Sequence, residues 1–369
     1  MSVRPTEIKA LAGARAIPAL MIVLFHFDSA HGYVPFDAVL GPPAMKGYLW
    51  VEFFFALSGF LLLHVYGEGG KPLRYGAFLK ARLARLYPVH FVTLITMVAL
   101  VAVRMMASQL FGFVSHFPQL QQPLNTPATF VANLLLVQGW NIVPGLSWNG
   151  AAWFVSVEFL LCLIFPLVLI AARGGAWRGA GMIGAGIAWL ALLEWNSGVG
   201  LDITFDNGMF RGMAGFAIGA GMALIYRALR TRAEIAPDAW YSAAQGVVLV
   251  AILAAIYCSG QRHSRADIFT ALAFDALVLA VAFDKGFLAR LFQTAPFQTL
   301  SAWSYGIYMG QTFWMQVVRQ FDSITRVPHT GLYRIGEPLV LLAICVLWGA
   351  LLTRFVERPA HTFLHRIAP

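Results

Sequence analysis

The sequence predicts an all-α polytopic membrane protein, with about ten transmembrane helices and a short re-entrant or interfacial segment near 129–139. Three observations predict it. Hydrophobic residues fill 59% of the 369 positions and charged residues 12%, whereas a soluble domain carries about a quarter charged residues. Apolar stretches of near-spanning length recur along the whole chain. The basic residues, 26 against 17 acidic ones, gather in the short loops between those stretches, where they set orientation.

The apolar stretches fall at 10–28, 48–66, 87–107, 151–172, 179–195, 208–226, 240–258, 267–283, 300–319 and 336–356. The first has Arg15 against it and further spans behind it, so it reads as a retained helix and not a signal peptide. With a cytoplasmic N-terminus, the inner loops hold Lys71, Arg74, Lys80, Arg82 and Arg85, then Arg173 and Arg178. Later inner loops hold Arg227, Arg230, Arg232, Lys285 and Arg290, and the tail holds Arg358 and Arg366. The stretch 107–128 has no Lys or Arg, and 196–207 is acidic. Counting TFVANLLLVQG (129–139) as a crossing inverts everything after it and puts those arginines outside. The expected topology therefore has ten spans and both termini in the cytoplasm. The loops 260–267 and 320–335 run against it, falling outside despite their arginines.

No Pro/Ser-rich linker or composition shift divides the chain, so a single integral membrane domain over 1–369, with no appended soluble domain, is expected. Cys162, Cys258 and Cys345 lie in separate apolar runs and read as small hydrophobes. His64, His90 and His116 show no ligand spacing, so no metal is expected. GAGMIGAG (179–186) follows no strand and is not a dinucleotide loop, while GFAIG (215–219) has the spacing of a close helix contact. The net charge of +9 comes without a basic domain or aromatic-interleaved stripe, which argues against nucleic acid.

Ionisable groups in apolar spans are candidates for function. Arg15 and His26 bracket AIPALMIVLF. Eleven helical steps return to within about 20° of the same face and separate the groups by roughly 16 Å. A fixed cation and a titratable imidazole in one groove suit a substrate long enough to touch both. In GYLWVEFFFALSGFLLLHVY (47–66), Glu52 and Gly59 share a face and Ser58 lies well round from it. Glu52 and Ser58 meet one pocket only if the helix breaks near the Ser-Gly pair; otherwise Gly59 marks a tight crossing. In KARLARLYPVH (80–90), Arg82 and Arg85 face the same way, and Pro88 suits the first turn of the next span. Such a pair at a helix N-terminus holds a phosphorylated ligand, or simply sets topology. In GLSWNGAAWFVSVEFLLCLIFP (145–166), Trp148, Asn149 and Trp153 form an interfacial belt. Ser156 and Glu158 point to roughly opposite faces, and Glu158 is the costlier to bury. SAWSYGIYMGQTFW (301–314) offers Ser304, Tyr305, Tyr308 and Gln311 to a polar groove or an aromatic packing face. FVERPA (355–360) closes the last span with Glu357 and Arg358.

Taken in order, Arg15-x10-His26, WVEFFFALSGF (50–60), RLARLYPVH (82–90), WFVSVEFLLCLIFP (153–166), SYGIYM (304–309) and FVERP (355–359) resemble the bacterial acyltransferase-3 family. The resemblance runs from about Gly13 to Pro359. It implies a ten-span helical enzyme of the bacterial inner membrane. Such an enzyme moves an acyl group, usually acetyl, from cytoplasmic acyl-CoA to a hydroxyl of a surface or secreted glycan. It implies Arg15 and His26 as the hallmark pair, and Ser58, Gly59 and Phe60 as the Ser-Gly-Phe of the second span. Arg82 and Arg85 match the arginines that meet coenzyme A, Ser156 and Glu158 the Ser-x-Glu, and Glu357 the terminal Glu-Arg-Pro. Glu52 stands where the family usually has Asp. Gln311 stands near where many relatives carry a His, so no acid–base role follows there.

The combined expectation is a catalytic set of His26, Arg15, Glu158 and Glu52, with His26 as general base. Arg82, Arg85, Arg15 and Ser58 hold the acyl-CoA co-substrate. Trp148, Asn149, Trp153, Ser156, Tyr305 and Tyr308 line the acceptor side. No permanently bound cofactor is expected. A glycan or other hydroxyl acceptor and membrane lipid are the expected partners. The rival reading is a transporter or flippase that moves a lipid-linked sugar or proton past the same charges. A non-catalytic sensor on the same fold is a third reading, and it should have lost the principal ionisable residues present here.

Overall fold

The computed structural model describes residues 7–68, 72–112, 124–259, 262–326 and 330–367, with side chains in the last stretch as far as 362. Lys71, His116, the side chain of Arg366, half of 107–128 and parts of 260–267 and 320–335 lie outside the described residues.

Every described regular element is helical. The order is α1 (Lys9–Ala14), α2 (Ala16–His31), α3 (Asp37–Met45), a 3-10 turn (Gly47–Leu49), α4 (Trp50–Tyr66), α5 (Tyr75–Phe111) and α6 (Pro127–Leu134). A second 3-10 turn (Gly150–Ala152) leads into α7 (Trp153–Ala171). Then come α8 (Ala176–Asn196), α9 (Gly208–Ile235), α10 (Asp238–Cys258), α11 (Asp267–Val281) and α12 (Phe287–Phe292). The chain closes with α13 (Ala295–Thr325), α14 (Gly331–Leu352), a π turn (Thr353–Glu357) and α15 (Arg358–Ile367).

All ten expected spans fall on helices. Among the described residues, eight helical stretches are long and apolar enough to cross a membrane. The other two are α11, which has only 15 residues, and α13, which has 31 but carries many polar side chains. Those side chains turn inward: Asp267, Asp275, Ser301, Ser304, Gln311 and Gln316 are buried, so packing rather than lipid surrounds them. The segment 129–139 does not span. Its helix α6 has eight residues, about 12 Å against the roughly 30 Å of a hydrocarbon core. A capping box between Thr126 and Thr129 starts it, and Leu136 in the left-handed region (φ 58°) turns the chain back. A single turn residue, Arg15, separates α1 from α2, and it is the N-cap of the same helix that carries His26.

Polarity is inverted relative to a soluble protein. Leu110, Trp240, Val247 and Leu347 are 61–71% exposed, while Glu52, Arg211 and Asp275 are 0% exposed. With no water to solvate them, charges must be turned inward and satisfied there. The multi-pass membrane protein expected from composition is therefore what the packing displays.

At the centre, α4 and α9 touch backbone to backbone. A side chain at Gly59 would overlap the Phe216 carbonyl, and one at Gly219 would overlap that of Ala56. Gly59 is thus a crossing point, and GFAIG is the matching stripe on α9. About two turns away, Arg211 on α9 donates from Nε to Glu52 on α4, from Nη2 to Tyr48 O (2.9 Å) and from Nη1 to Ile203 O (3.2 Å). A second buried pair, Lys46 Nζ to Asp267 Oδ1 at 2.7 Å, ties the α3–α4 junction to α11, and Tyr48 donates to the same carboxylate.

Two of the arginines that oppose the expected orientation, Arg262 and Arg265, are engaged by the protein. Arg262 Nη2 donates to Asp202 (2.6 Å), its Nη1 to Ser29 (2.9 Å), and its guanidinium lies 4.6 Å from the Phe25 ring. Arg265 stacks on Trp195 at 4.8 Å. Burial would raise the Asp202 carboxyl, but hydrogen bonds from Arg262 and His263 outweigh it and hold it below the usual carboxylate range.

Breaking one half of the central pair should be severe. Arg211→Met leaves Glu52 buried and uncompensated, an expected loss of about 3–5 kcal/mol. Adding Glu52→Gln should restore part of it. Thermal unfolding of the detergent-solubilised protein measures both, and equal stability of Arg211→Met and the parent would contradict the pairing.

Candidate functional site

A cavity of about 150 Å³ lies where α1, α4, α5, α7 and α13 converge. Each helix contributes residues at helical spacing: Phe54, Leu57, Ser58 and Leu61 from α4, and Phe154, Glu158 and Cys162 from α7. Ser304, Tyr305 and Tyr308 come from α13, and Arg82, Arg85 and Leu86 from α5. Arg15 enters from the α1–α2 break.

One end of the cavity is cationic. Arg15 Nε donates to Ala12 O (3.1 Å) and Ser301 Oγ (3.2 Å), which fixes the guanidinium at the mouth. Arg82 is held against the rings of Phe78 (5.6 Å) and Tyr66 (6.0 Å), and its buried Nε has no hydrogen-bond partner among the described residues. Glu357 lies near enough to act electrostatically on both Arg15 and Arg85. Glu158 acts in the same way on Arg82 and Arg85, and Glu7 on Arg15; the three guanidiniums gathered at this end suit an anion.

The expected helix-dipole contribution is absent. The helix begins at Tyr75, so Arg82 and Arg85 sit in its interior and Pro88 lies further along, not in the first turn. Side chains, and not free backbone N–H groups, supply the positive charge here.

Deeper in, Ser58 Oγ donates to Glu158 Oε2 at 2.8 Å, while the buried Glu158 Oε1 has no hydrogen-bond partner among the described residues. Tyr305 and Tyr308 have committed their hydroxyls, to Leu86 O (2.6 Å) and Ala151 O (2.9 Å), and present ring faces instead. Phe54, Phe154 and Tyr308 close the deep end, with ring centroids 5.9 Å and 5.5 Å apart. Phe54 also packs against the cluster that contains Leu24 and Phe27 of α2, so its ring stands between the cavity and that helix.

His26 lies outside the cavity lining. Its ring is half-buried, edge-on to Phe25 at 5.0 Å, with Nδ1 2.9 Å from Ile22 O. A carbonyl only accepts, so Nδ1 carries the hydrogen and Nε2 the lone pair. Gln311, one turn beyond Tyr308 on α13 and buried with both amide atoms unpartnered among the described residues, is the neighbouring polar side chain.

The remaining expected site residues are elsewhere. Helix α4 is unbroken, so Glu52 faces Arg211 while Ser58 faces the cavity. Ser156 is structural: it donates to Leu136 O (2.8 Å) and accepts from Gly139 N (3.0 Å). Trp153 is core packing against Gly208 and Phe55. Asn149 donates to Met309 O (2.9 Å), and Trp148, at φ 51°, to Thr129 Oγ1 (3.2 Å). The cavity thus gathers Arg15, Ser58, Arg82, Arg85, Glu158, Tyr305 and Tyr308, and leaves out His26, Glu52, Trp148, Asn149, Trp153 and Ser156. Phe54, Phe154 and Cys162 were missed. Positions 54 and 58, and 154, 158 and 162, are four apart, so the faces of Ser58 and Glu158 already pointed to them.

The sequence profile of an acyltransferase domain family matches residues 8–354, nearly the whole chain, cavity and His26 included. The chain belongs to the acyltransferase-3 family. It is 34% identical over 179 residues to "Protein 2 in picA locus" of Rhizobium radiobacter, an alignment covering 47% of this chain and 84% of that protein. It is 28% identical over 173 residues to "Acyltransferase MdmB" of Streptomyces mycarofaciens, covering 45% of this chain and 40% of that one. No solved structure matches. The protein is therefore a multi-pass membrane acyltransferase.

If transfer runs through this cavity, filling it should stop transfer. Leu57→Trp is expected to lower acyl transfer at least tenfold at equal protein amount in the membrane, whereas Leu110→Trp on the exposed face of α5 leaves it unchanged. Equal rates for both variants would disconnect the cavity from the reaction.

Proposed function

We propose that this acyltransferase moves an acyl group, in the first instance acetyl, from acyl-CoA to a hydroxyl of a glycan, with His26 as general base. The observation that carries the reading is the three-guanidinium mouth opening on an apolar, aromatic-walled cavity. The phosphates of coenzyme A match Arg15, Arg82 and Arg85, and its uncharged thioester arm matches the Leu57, Leu61 and Phe54 wall. The cavity would face the cytoplasm of a bacterial inner membrane, where acyl-CoA is found.

His26 stands ready for its part because its tautomer leaves Nε2 as the acceptor. The acceptor oxygen attacks the thioester carbonyl as Nε2 takes its proton; the C–S bond breaks, and the proton returns to the departing thiolate. For the thioester to reach His26 it must pass Phe54, Phe154 and Tyr308, which makes opening of that wall part of the cycle. Glu158 gives a second reading a specific foothold: it lines the cavity itself, and its buried Oε1 has no hydrogen-bond partner among the described residues.

Four measurements test this. His26→Ala should reduce transfer about 10²–10⁴-fold while leaving coenzyme A binding intact; undiminished transfer refutes the role of the imidazole. Glu158→Gln discriminates the second reading, since it should abolish transfer only if Glu158 is the base. Arg82→Gln with Arg85→Gln should raise KM for acyl-CoA more than tenfold with a smaller effect on kcat, and wild-type KM should rise with ionic strength. In a Cys258→Ser, Cys345→Ser background, coenzyme A should protect Cys162 from maleimide; unchanged labelling would place the co-substrate elsewhere.

A further inference from the structure

At the end of the bundle beyond His26, three chain segments bring metal-ligating atoms together. His31 ends α2, Asp322 lies near the end of α13, and Glu337 lies in the first half of α14. Their ligand atoms all fall within 4.8 Å of one another. The side chains are only 7%, 11% and 5% exposed, so this is an enclosed cluster and not a solvated acidic face.

The ring of His31 is locked. It stacks on Phe27 (centroids 4.2 Å, 14° between planes), and Nδ1 lies 3.2 Å from the Phe27 carbonyl. That carbonyl makes Nδ1 the donor and turns Nε2 toward the two carboxylates. Each carboxylate is oriented in the same way. Tyr333 donates to Asp322 Oδ1 (2.7 Å) and Tyr33 to Glu337 Oε2, so the oxygens facing His31 are Oδ2 and Oε1. A ligand histidine donating its other N–H to a carbonyl, and ligand carboxylates steadied by further hydrogen bonds, is the outer shell that metal sites carry.

The separations favour a cation over a proton between these groups. His31 Nε2 is 3.3 Å from Asp322 Oδ2 and 3.6 Å from Glu337 Oε1. An imidazolium bonded to a carboxylate closes to about 2.7–2.9 Å. A tetrahedral ion with bonds of about 2.0–2.2 Å separates its ligand atoms by about 3.3–3.6 Å. Arg334, the nearby cation on α14, lies over the Tyr33 ring (4.9 Å) and pairs with Asp37 (3.5 Å).

We propose that His31, Asp322 and Glu337 form a binding site for a divalent cation of the zinc class. One imidazole and two carboxylates, each through one oxygen, suit a borderline ion of low coordination number. They do not suit calcium, which takes six or more oxygens. The ion clamps the ends of α2 and α13 to α14, five residues along from His26 on the same helix. This site is independent of the acyl-transfer reading, because none of its residues lines the cavity.

The test uses tag-free, EDTA-stripped, full-length protein in detergent, with zinc chloride as the probe. Bound zinc is measured by elemental analysis after gel filtration and stability by thermal unfolding. The expectation is about one zinc per chain and an upward shift of the unfolding midpoint that equimolar calcium does not give. Glu337→Gln, which keeps shape, and His31→Ala should each lower zinc affinity at least tenfold, and Tyr33→Phe should lower it about tenfold. If His31→Ala does not fold, Glu337→Gln alone decides. No zinc on the parent, equal zinc on Glu337→Gln, or an equal shift with calcium overturns the proposal.

Discussion

A charge buried without water must find its partner inside the protein, and the Glu52–Arg211 pair is where that requirement organises this molecule. Both side chains are fully buried, and the guanidinium also reaches the carbonyls of Tyr48 and Ile203. Their attraction is strong where the dielectric is low, but so is the penalty for either alone. The pair therefore sets how α4 lies on α9, and the glycines at 59 and 219 let those backbones close upon it. Because Glu52 is committed to Arg211, the opposite face of α4 is left for Ser58 and the cavity.

The same requirement explains why the cavity is polar at one end and aromatic at the other. Three guanidiniums tolerate proximity only where counter-charge or ligand can approach. Here they are drawn to the mouth, with Glu357 nearby. Further in, polar atoms are tied off one by one: the Tyr305 and Tyr308 hydroxyls on carbonyls, Ser58 on Glu158. What remains unsatisfied is one buried carboxylate oxygen, Glu158 Oε1, beside a largely apolar chamber. An anionic head and an uncharged tail are the shape of ligand such a gradient accepts.

The wall of Phe54, Phe154 and Tyr308 gives the architecture its division of labour. On one side is the cationic chamber; on the other are His26 and Gln311, and beyond them the Arg262–Asp202–His263 cluster and the His31 cluster. In the transfer proposed above, these rings would have to move before the thioester met His26, and until then they would keep it from water on that side.

By itself the sequence determined the membrane class, the helices and the short non-crossing segment. These follow from local quantities, namely apolar run length, loop charge and the shortness of the run 129–139. It also marked Arg15, Ser58, Arg82, Arg85, Glu158 and the two tyrosines, because a polar residue in an apolar run stands out wherever it is and helical spacing fixes its face. What only the tertiary structure decided is which of the marked residues meet. Trp153 and Ser156 look like site residues in the sequence but pack against Gly208 and the Leu136 turn. Glu52 is claimed by a residue 159 positions away, and His31 by one 291 away. No periodicity encodes such meetings. They come from how helices far apart in the chain satisfy one another's buried charge.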